Sequence, residues 1–219
     1  MDLVKHHSLF NSVAADKLGS RAVIGAGSVG SAVIMGLAKL GLTRLYLQDF
    51  DKVETENIPN QYIYGPENIG QRKVLAAFNR VLELTGTLLT FSKRPYKGER
   101  LEHYAVYSCV DTMKVRRAIF TKGLYINPYC KWFFDVRTGI DTFSVFALQT
   151  QNAAHRKAYE SSLYKDSDIV VAKAECGTTL SLGPVAQMAA NFAMVLTVQA
   201  FNDKLKHNEF HFNLDDLSV

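Results

Sequence analysis

The chain is poor in cysteine: its three cysteines, Cys109, Cys130 and Cys176, cannot all pair within one chain and form no Cys-x-x-Cys motif. A complete disulfide framework is therefore excluded, and we expect a reduced, cytoplasmic protein. The N-terminus lacks the apolar segment of a secretory signal. The most apolar run, residues 185–201, contains three amide side chains and is shorter than a typical membrane span, so it is interpreted as a buried helix and no membrane association is expected.

Concentrated charge is also lacking. The net charge is +4, and no run of basic residues is interleaved with aromatic ones. This small excess of positive charge is compatible with a nucleotide or an acidic partner but is too weak to indicate nucleic-acid binding by itself. A chain of 219 residues with 47% hydrophobic content is long enough for one good core. We expect one domain over residues 1–219, with an N-terminal helix within residues 1–20 and a crossover loop at 151–175.

What the sequence does contain is a glycine loop, Gly25-Ala-Gly27-Ser28-Val-Gly30, directly after a short apolar strand pattern. Gly25 permits a tight turn out of the strand, Gly27 admits a phosphate, and Gly30 allows the next helix to pack closely on the sheet. That helix points its N-terminal amides at the phosphates, and Ser28 lies in its first turn. Asp49, at the end of the next predicted strand, is placed to reach the ribose hydroxyls. The pattern predicts a nucleotide site.

The residues that follow Asp49 distinguish ATP from NAD, since both nucleotides can use such a loop. A dehydrogenase needs no polar cluster after its ribose-binding acid, whereas this chain continues with Asp51, Asn57, Asn60, Gln61 and Lys73. A lysine suits a triphosphate as a mobile point charge. The two side-chain amides at 57 and 61 are candidates to hold phosphate oxygens or metal-bound water. The cluster therefore favours ATP.

The periodicity of the chain predicts an α/β fold with a Rossmann-like doubly wound sheet, in which a parallel nucleotide-binding half is followed by antiparallel strands. The first half is predicted to contain strands at 21–25, 44–48, 87–93 and 104–109, a helix at 28–40 and a second helix at 70–84. The second half is predicted to contain strands at 125–126, 132–135 and 142–148, a long helix at 184–201 and a closing strand at 208–214.

Three motifs, in order, resemble the ThiF/MoeB/HesA family, the bacterial relatives of ubiquitin-activating enzymes. They are Asp49-x-Asp51-x-Val53-x-x-x-Asn57-x-x-x-Gln61 with Ile69-Gly70-x-x-Lys73, then Ser108-Cys109-Val110-Asp111-Thr112-x-x-x-Arg116, and finally Cys176-Gly-Thr-Thr-Leu-Ser-Leu-Gly183-Pro184. Each motif is short, but their order and spacing together are specific. The resemblance covers residues 19–201 and makes the expected domain an adenylation domain of this type.

The resemblance implies that the chain uses ATP and Mg²⁺ to adenylate the C-terminal carboxylate of a small ubiquitin-fold protein or peptide. Asp111 would hold Mg²⁺ or orient the α-phosphate; capping of the helix near Met113 is the alternative for this residue. Cys176 would accept the acyl group as a thioester or take part in sulfur transfer, unless it is simply a small buried residue. Arg137 would face the substrate carboxylate or a dimer partner, or lie on the surface. The family commonly forms homodimers, and the paired Cys-x-x-Cys zinc site of many members is missing here, so no zinc is expected.

Two positions depart from the family pattern. Asn60 stands where the family has an arginine that contacts the ATP phosphates, and Thr112 stands where it has an asparagine. Lys73, Arg72 and Arg116 are the cations that could replace the missing guanidinium. These departures motivate an alternative, a catalytically weak or inactive adaptor that keeps the fold and a peptide groove. An NAD-dependent enzyme is a further alternative. A variant within the superfamily adenylates a carboxylate on a tRNA nucleoside, but a tRNA substrate would favour a more basic surface than a net charge of +4 indicates.

Titration calorimetry with ATP·Mg²⁺ and, separately, with NADH distinguishes these interpretations. We expect saturable binding of ATP that is lost in the Asp49→Ala and Lys73→Ala variants, because one removes the ribose-binding acid and the other a phosphate-binding charge. NADH should not bind. Tight binding of NADH with no response to ATP would contradict the adenylation hypothesis.

Overall fold

A computed structural model describes residues 3–168 and 182–214, and seven strands of the described residues form one mixed sheet. The strands are β1 Arg21–Ile24, β2 Leu45–Gln48, β3 Thr90–Ser92, β4 Ala105–Ser108, β5 Trp132–Thr138, β6 Thr142–Gln149 and β7 Glu209–Asn213. Their order across the sheet is β3-β2-β1-β4-β5-β6-β7. The first five strands pair in parallel, whereas β6 and β7 pair antiparallel. The predicted fold class is therefore confirmed.

Helices cover both faces of this sheet. They are α1 Val4–His7, α2 Ser12–Lys17, α3 Ser28–Lys39, α4 Lys73–Thr85, α5 Met113–Ala118, α6 Ala153–Ser161 and α7 Gly183–Phe201. Alternate strand residues point to opposite sides: Val23 joins the core under α3, α4 and α7, while Ala22 and Ile24 join the core under α5 and α6. Because both faces are covered, β1 and β4 are buried along their whole length, as parallel strands require.

The strand order reverses between β1 and β4, which lie side by side but lead to neighbours on opposite sides of the sheet. In open α/β sheets the crevice at the carboxyl ends of such a strand pair is where ligands bind. The glycine loop follows β1 and Asp111 follows β4. The topology alone therefore brings two of the predicted site segments to one edge of the sheet.

The apolar C-terminal helix α7 is long and apolar enough, by length and composition, to cross a membrane, but half of its most apolar window is buried inside the fold. Its buried face includes Val185, Ala189 and Ala193 within the larger core. It approaches α3 so closely that a Cβ on Gly36 would lie 2.8 Å from the Cγ of Met194. These contacts agree with the interpretation as a buried core helix.

Two expectations drawn from the sequence are wrong. The predicted strand at 125–126 is a turn in which Ile126 has a positive φ of 43° and both side chains are exposed. The crossover loop predicted for 151–175 begins instead with helix α6, whose N-cap Asn152 accepts hydrogen bonds from the amides of Ala154 and His155. A short 3-10 helix, Asp166–Asp168, follows, and the remainder of that predicted loop lies outside the described residues. The polar composition of α6 concealed a helix that buries only one residue, Tyr159.

The N-terminal helix expected within residues 1–20 is present as α2, preceded by the single turn of α1. Arg21, the first residue of β1, is fully buried and forms an ion pair with Asp16 of α2 at 2.7 Å. Its guanidinium also donates to the carbonyl of Gly19. A buried arginine therefore ties α2 to the sheet.

A buried carboxylate, Asp135 of β5, holds the second half of the fold together. It forms ion pairs with Arg116 of α5 and, at 2.7 Å, with Arg137, and it accepts a hydrogen bond from the hydroxyl of Tyr159 of α6 at 3.0 Å. Burial by itself raises the pKa of Asp135, but the charges of Arg116 and Arg137 outweigh it and leave the pKa below its usual value. Three elements thus meet at one ionised carboxyl group.

Replacing this carboxylate should destabilise the fold strongly. We expect Asp135→Asn to lower the free energy of unfolding by about 3–5 kcal/mol at pH 7, because it leaves the buried Arg116 and the largely buried Arg137 without their counter-ion. Since the folded pKa is depressed, the stabilisation should be present above the unfolded pKa of about 4 and be lost as the pH falls through the folded pKa. Urea unfolding at several pH values measures both effects.

The exposed Asp203, whose side chain is 76% exposed and lies 3.5 Å from Lys131, is the matched control. Asp203→Asn should change stability by less than about 1 kcal/mol. Equal losses in the two variants would contradict the role given to Asp135.

Candidate functional site

The glycine loop after β1 is held in a narrow space. Gly25 has a positive φ of 97°, and its N–H donates to the carbonyl of Gln48 at 2.8 Å. A Cβ on Gly25 would lie 2.5 Å from the carbonyl oxygen of Cys109, and a Cβ on Gly30 would lie 1.9 Å from the carbonyl oxygen of Gly25. Both positions therefore require glycine, as the sequence motif predicts.

The apex of the loop is open. Gly27 is the N-cap residue of α3, and no side chain hydrogen-bonds to this end of the helix. A Cβ on Gly27 would meet nothing within 4 Å. Its N–H donates no hydrogen bond within the described residues. A twelve-residue helix that begins at Ser28 and presents free amides beside open space is a suitable place for a phosphate.

Asp49 connects this loop to the end of β2. One carboxylate oxygen accepts from the N–H of Ala26 and the other from the N–H of Asp51, each at 2.7 Å. Burial raises the pKa of Asp49, and these two backbone hydrogen bonds act in the opposite direction. The sequence predicts contact with a ribose, and the structure adds a task inside the protein: Asp49 orients the glycine loop.

Lys73 is the cation of the site. It is the first residue of α4 and is 7% exposed; its Nζ lies 3.6 Å from the Oδ2 of Asp51, whose carbonyl also accepts from the Lys73 N–H at 3.0 Å. A cation at a helix N-terminus is opposed by the helix dipole, and a buried one loses hydration as well. One half-exposed aspartate offsets this only in part. Such a local conflict is typical of a site built for an anion.

Asn57 and Gln61 lie in the loop between β2 and α4, and their side chains have different roles there. The side-chain carbonyl of Asn57 accepts from the N–H of Glu54 at 2.9 Å and closes a 3-10 turn, Thr55–Asn57, so Asn57 has a structural role. Gln61 is 8% exposed, and its Oε1 has no hydrogen-bond partner among the described residues. An unpaired buried acceptor is costly. Of these two predicted residues, Gln61 is therefore the one that keeps an acceptor for a ligand.

Asp111 lies exposed just beyond β4 and makes no hydrogen bond or ion pair within the described part of the chain. The alternative in which Asp111 caps α5 is wrong. The hydroxyl of Thr112 caps that helix, and the carboxylate of Asp166 accepts from the N–H groups of Met113 at 2.6 Å and Lys114 at 3.0 Å. The carboxylate of Asp111 is consequently free for a cation.

Magnesium binding is compatible with this arrangement. Within residues 3–168 and 182–214, no group of three or more His, Cys, Asp or Glu side chains is arranged to hold a metal. Mg²⁺ bound to a nucleotide needs only one or two carboxylates, because phosphate oxygens and water complete its shell. Asp111, unpaired and exposed beside the glycine loop, meets that requirement.

Three arginines proposed from the sequence have partners within the protein. Arg116 is buried in the ion pair with Asp135 and donates to the carbonyl of Val136 at 3.0 Å. Arg72 donates to the carbonyl of Phe50. Arg137 pairs with Asp135 and donates to the carbonyl of Ser162 at 3.0 Å, so it is not a free surface residue; its contact with a substrate carboxylate or a dimer partner stays a prediction. Of the cations predicted to contact phosphate, Arg116 is therefore engaged in the interior, whereas Lys73 and the exposed Arg72 remain candidates.

Asn60, which replaces the family's arginine, has a definite partner. Its Oδ1 accepts from the N–H of Gly183 at 3.1 Å, the first helical residue of α7. The contact is close, since a Cβ on Gly183 would lie 2.8 Å from the ring of Tyr62. Asn60 therefore joins the β2–α4 loop to the start of the C-terminal helix, and its predicted contact with the nucleotide stays a prediction.

The described cysteines are unreactive. Burial raises the pKa of the Cys109 thiol to about 12, and that of Cys130 also to about 12. At neutral pH neither forms the thiolate that nucleophilic chemistry requires. The prediction that Cys109 belongs to the core is confirmed. Cys176, the predicted acyl acceptor, lies outside the described residues.

One residue of the site escaped the sequence analysis. The hydroxyl of Tyr64 donates to the carbonyl of Ala26, inside the glycine loop, at 2.8 Å. Tyr64 is 4% exposed and belongs to the main core. A single aromatic residue in a polar loop carries no periodic signal, so only the tertiary contact identifies it.

A Rossmann-like sheet with a glycine loop at the point where the strand order reverses defines a nucleotide-binding protein. Comparison with known proteins is more specific: the ThiF family profile matches residues 16–218, and the chain belongs to the ThiF family. It is 31% identical over 119 residues to ubiquitin-like modifier-activating enzyme 5 of Rattus norvegicus, covering 46% of this chain and 29% of that protein. It is 35% identical over 68 residues to the sulfur carrier protein adenylyltransferase of Thermus thermophilus, covering 31% of this chain and 25% of that protein.

Two solved structures share the fold. E. coli MccB with AMPCPP and MccA superposes with a TM-score of 0.70 at 13% identity, covering 94% of this chain and 64% of MccB. PaaA superposes with a TM-score of 0.71 at 17% identity, covering 93% of this chain and 63% of PaaA. The chain spans less than a third of the length of the two curated relatives and about two thirds of these structures.

The contact of Asn60 gives a testable outcome for the family's arginine. We expect Asn60→Arg to lower the free energy of unfolding by about 1 kcal/mol and to leave ATP affinity no higher, because the substitution removes the acceptor for the Gly183 N–H. Asn60→Asp keeps an acceptor at the same place and should be close to wild type. Urea unfolding and ATP titration measure the two properties. An Asn60→Arg variant that is stable and binds ATP more tightly would mark this position as a decayed phosphate contact.

Proposed function

We propose that this chain binds ATP and adenylates the C-terminal carboxylate of a small ubiquitin-like protein or peptide. One observation carries the proposal: the open N-terminus of α3, the buried Lys73 and the unpaired Asp111 are arranged around one edge of the sheet. The names of the relatives, a ubiquitin-like modifier-activating enzyme and a sulfur carrier protein adenylyltransferase, support the choice of reaction.

The chemistry needs positioning and charge neutralisation more than covalent work by the protein. An oxygen of the acceptor carboxylate attacks the α-phosphorus of ATP in line; a new P–O bond forms, and the bond to pyrophosphate breaks. The acceptor is already ionised at neutral pH, so no general base is required. The site accordingly contains amides, a lysine and an aspartate.

Each residue has one task in this proposal. The free amides at the start of α3 bind phosphate oxygens, and Lys73 neutralises their negative charge. Asp111 would hold Mg²⁺, which supplies further charge neutralisation on the phosphates when bound. Gln61 offers its unpaired Oε1 to a ligand donor such as a metal-bound water.

The two departures from the family pattern do not require an inactive adaptor. Thr112 caps α5, and Asn60 binds the first amide of α7, so each has a structural explanation of its own. The adaptor hypothesis remains an outcome of the test below. Use of Mg²⁺, a homodimeric assembly and transfer of the acyl group to Cys176 are further parts of the proposal and depend on the family resemblance. A cytoplasmic location is also part of the proposal and rests on the cysteine pattern.

Exchange of labelled pyrophosphate into ATP tests the reaction. The acceptor probe is a synthetic peptide that ends in Gly-Gly with a free carboxylate, and its C-terminal amide is the control. We expect exchange only with the free acid. Asp111→Asn should lower the exchange rate on the order of 10²-fold, because it removes charge from the proposed metal-binding carboxylate.

Asp203→Asn is the matched control, since it removes an exposed aspartate on a loop between α7 and β7. It should leave exchange unchanged. Binding of ATP without exchange on either peptide would favour the adaptor, and absence of ATP binding would contradict the proposal.

A further inference from the structure

We propose that Tyr64 is a positioning residue for phosphate binding, because its hydroxyl turns the Gly27 N–H of the glycine loop toward the nucleotide. This inference rests on the proposed function, since it assigns Tyr64 a role in the same ATP site. Two hydrogen bonds hold the backbone of Ala26. The Ala26 N–H donates to Asp49 at 2.7 Å, and the Ala26 carbonyl accepts from the Tyr64 hydroxyl at 2.8 Å.

These two contacts fix two successive peptide planes. The Ala26 N–H belongs to the plane shared with Gly25, and the Ala26 carbonyl belongs to the plane shared with Gly27. No cis peptide bond occurs in the described chain. In a trans peptide the carbonyl and the following N–H point in opposite directions. Because Tyr64 holds the carbonyl on the buried side, the N–H of Gly27 must point away from it.

The outward side is free for a ligand. The N–H of Gly27 donates to no group among the described residues, and a Cβ on Gly27 would meet nothing within 4 Å. Without the tyrosine hydroxyl, the carbonyl of the peptide group between Ala26 and Gly27 loses its hydrogen bond. It can then rotate, since a glycine on one side opposes rotation weakly. An amide that must be ordered when the phosphate binds contributes less to affinity.

Tyr64 is well suited to this task. Its side chain is part of the main core and is 4% exposed, so the ring itself is fixed. Burial first, and then the nearby charge of Asp49, raise the pKa of Tyr64 well above its usual value. The hydroxyl therefore remains protonated and remains a donor at all working pH values. The N–H of Tyr64 donates to the carbonyl of Gln61 at 2.9 Å. This hydrogen bond closes the turn that connects Gln61 with Tyr64.

The test compares two tyrosine-to-phenylalanine variants. Tyr64→Phe removes only the hydroxyl that holds Ala26. Tyr107→Phe removes an equally buried hydroxyl, which lies 2.9 Å from the Oγ1 of Thr197 between β4 and α7 and does not touch the glycine loop. Both variants should lose a similar amount of stability, so a difference in nucleotide binding between them reports on the loop alone.

We expect Tyr64→Phe to raise the Kd for ATP about five- to tenfold, the effect of one lost buried hydrogen bond, and to leave the Kd for adenosine unchanged. Tyr107→Phe should bind both ligands like the wild type. In the protein without ligand, the ¹⁵N order parameter of Gly27 should fall in Tyr64→Phe and stay constant in Tyr107→Phe.

Equal affinity of the two variants for ATP, or an equal loss of ATP and adenosine binding in Tyr64→Phe, would overturn the inference. Failure of the wild-type protein to bind ATP would instead overturn the proposed function. The order parameter of Gly27 then still decides whether Tyr64 holds the loop, because that measurement needs no nucleotide.

Discussion

The candidate site depends on how the backbone of Ala26 is held between β1 and α3. Asp49 accepts its N–H and Tyr64 donates to its carbonyl, so a loop that leaves its strand through a glycine keeps one conformation. Glycine provides the space for a phosphate but adds no rigidity. The rigidity comes from Asp49, directly after β2, and from Tyr64, which is part of the main core. Preorganised amides of this kind bind an anion without first being ordered.

The arginines and carboxylates of the interior pair with one another, whereas the charges at the candidate site pair weakly or not at all. Asp135 engages Arg116 and Arg137 in the interior, and Asp16 engages Arg21. These pairs stabilise the packing of α2, α5 and α6 on the sheet. At the edge where the strand order reverses, Lys73 is only weakly offset by Asp51 at 3.6 Å, and Asp111 is unpaired. These two charges at the edge of the sheet are the ones that we propose for binding a magnesium nucleotide.

At two positions where this member of the ThiF family departs from the motif, the replacing residue makes a structural contact of its own. At position 60 an amide oxygen binds the first N–H of α7 where the family pattern has a guanidinium. At position 112 a threonine hydroxyl caps α5, and Asp166 binds the two neighbouring amides. Both replacements satisfy helix N-termini, which otherwise leave unpaired donors. A motif departure is thus weak evidence for inactivity until its local partner is known.

The sequence by itself determined the fold class and the glycine loop, because strand and helix periodicity and glycine spacing are local properties of the chain. The sequence also predicted Asp49, Lys73 and Asp111 as site residues, the last of them from the resemblance to the ThiF family. It did not determine what those side chains contact. The hold of Tyr64 on Ala26, the contact of Asn60 with Gly183 and the capture of Arg116 by Asp135 join residues far apart in the sequence. Helix α6 was missed for a related reason: a polar helix with one buried tyrosine has almost no apolar pattern, and its place is set by the buried carboxylate that it meets. Only the tertiary structure decided which polar groups pair with other groups of the protein and which remain unpaired for a ligand, since pairing depends on distance in space.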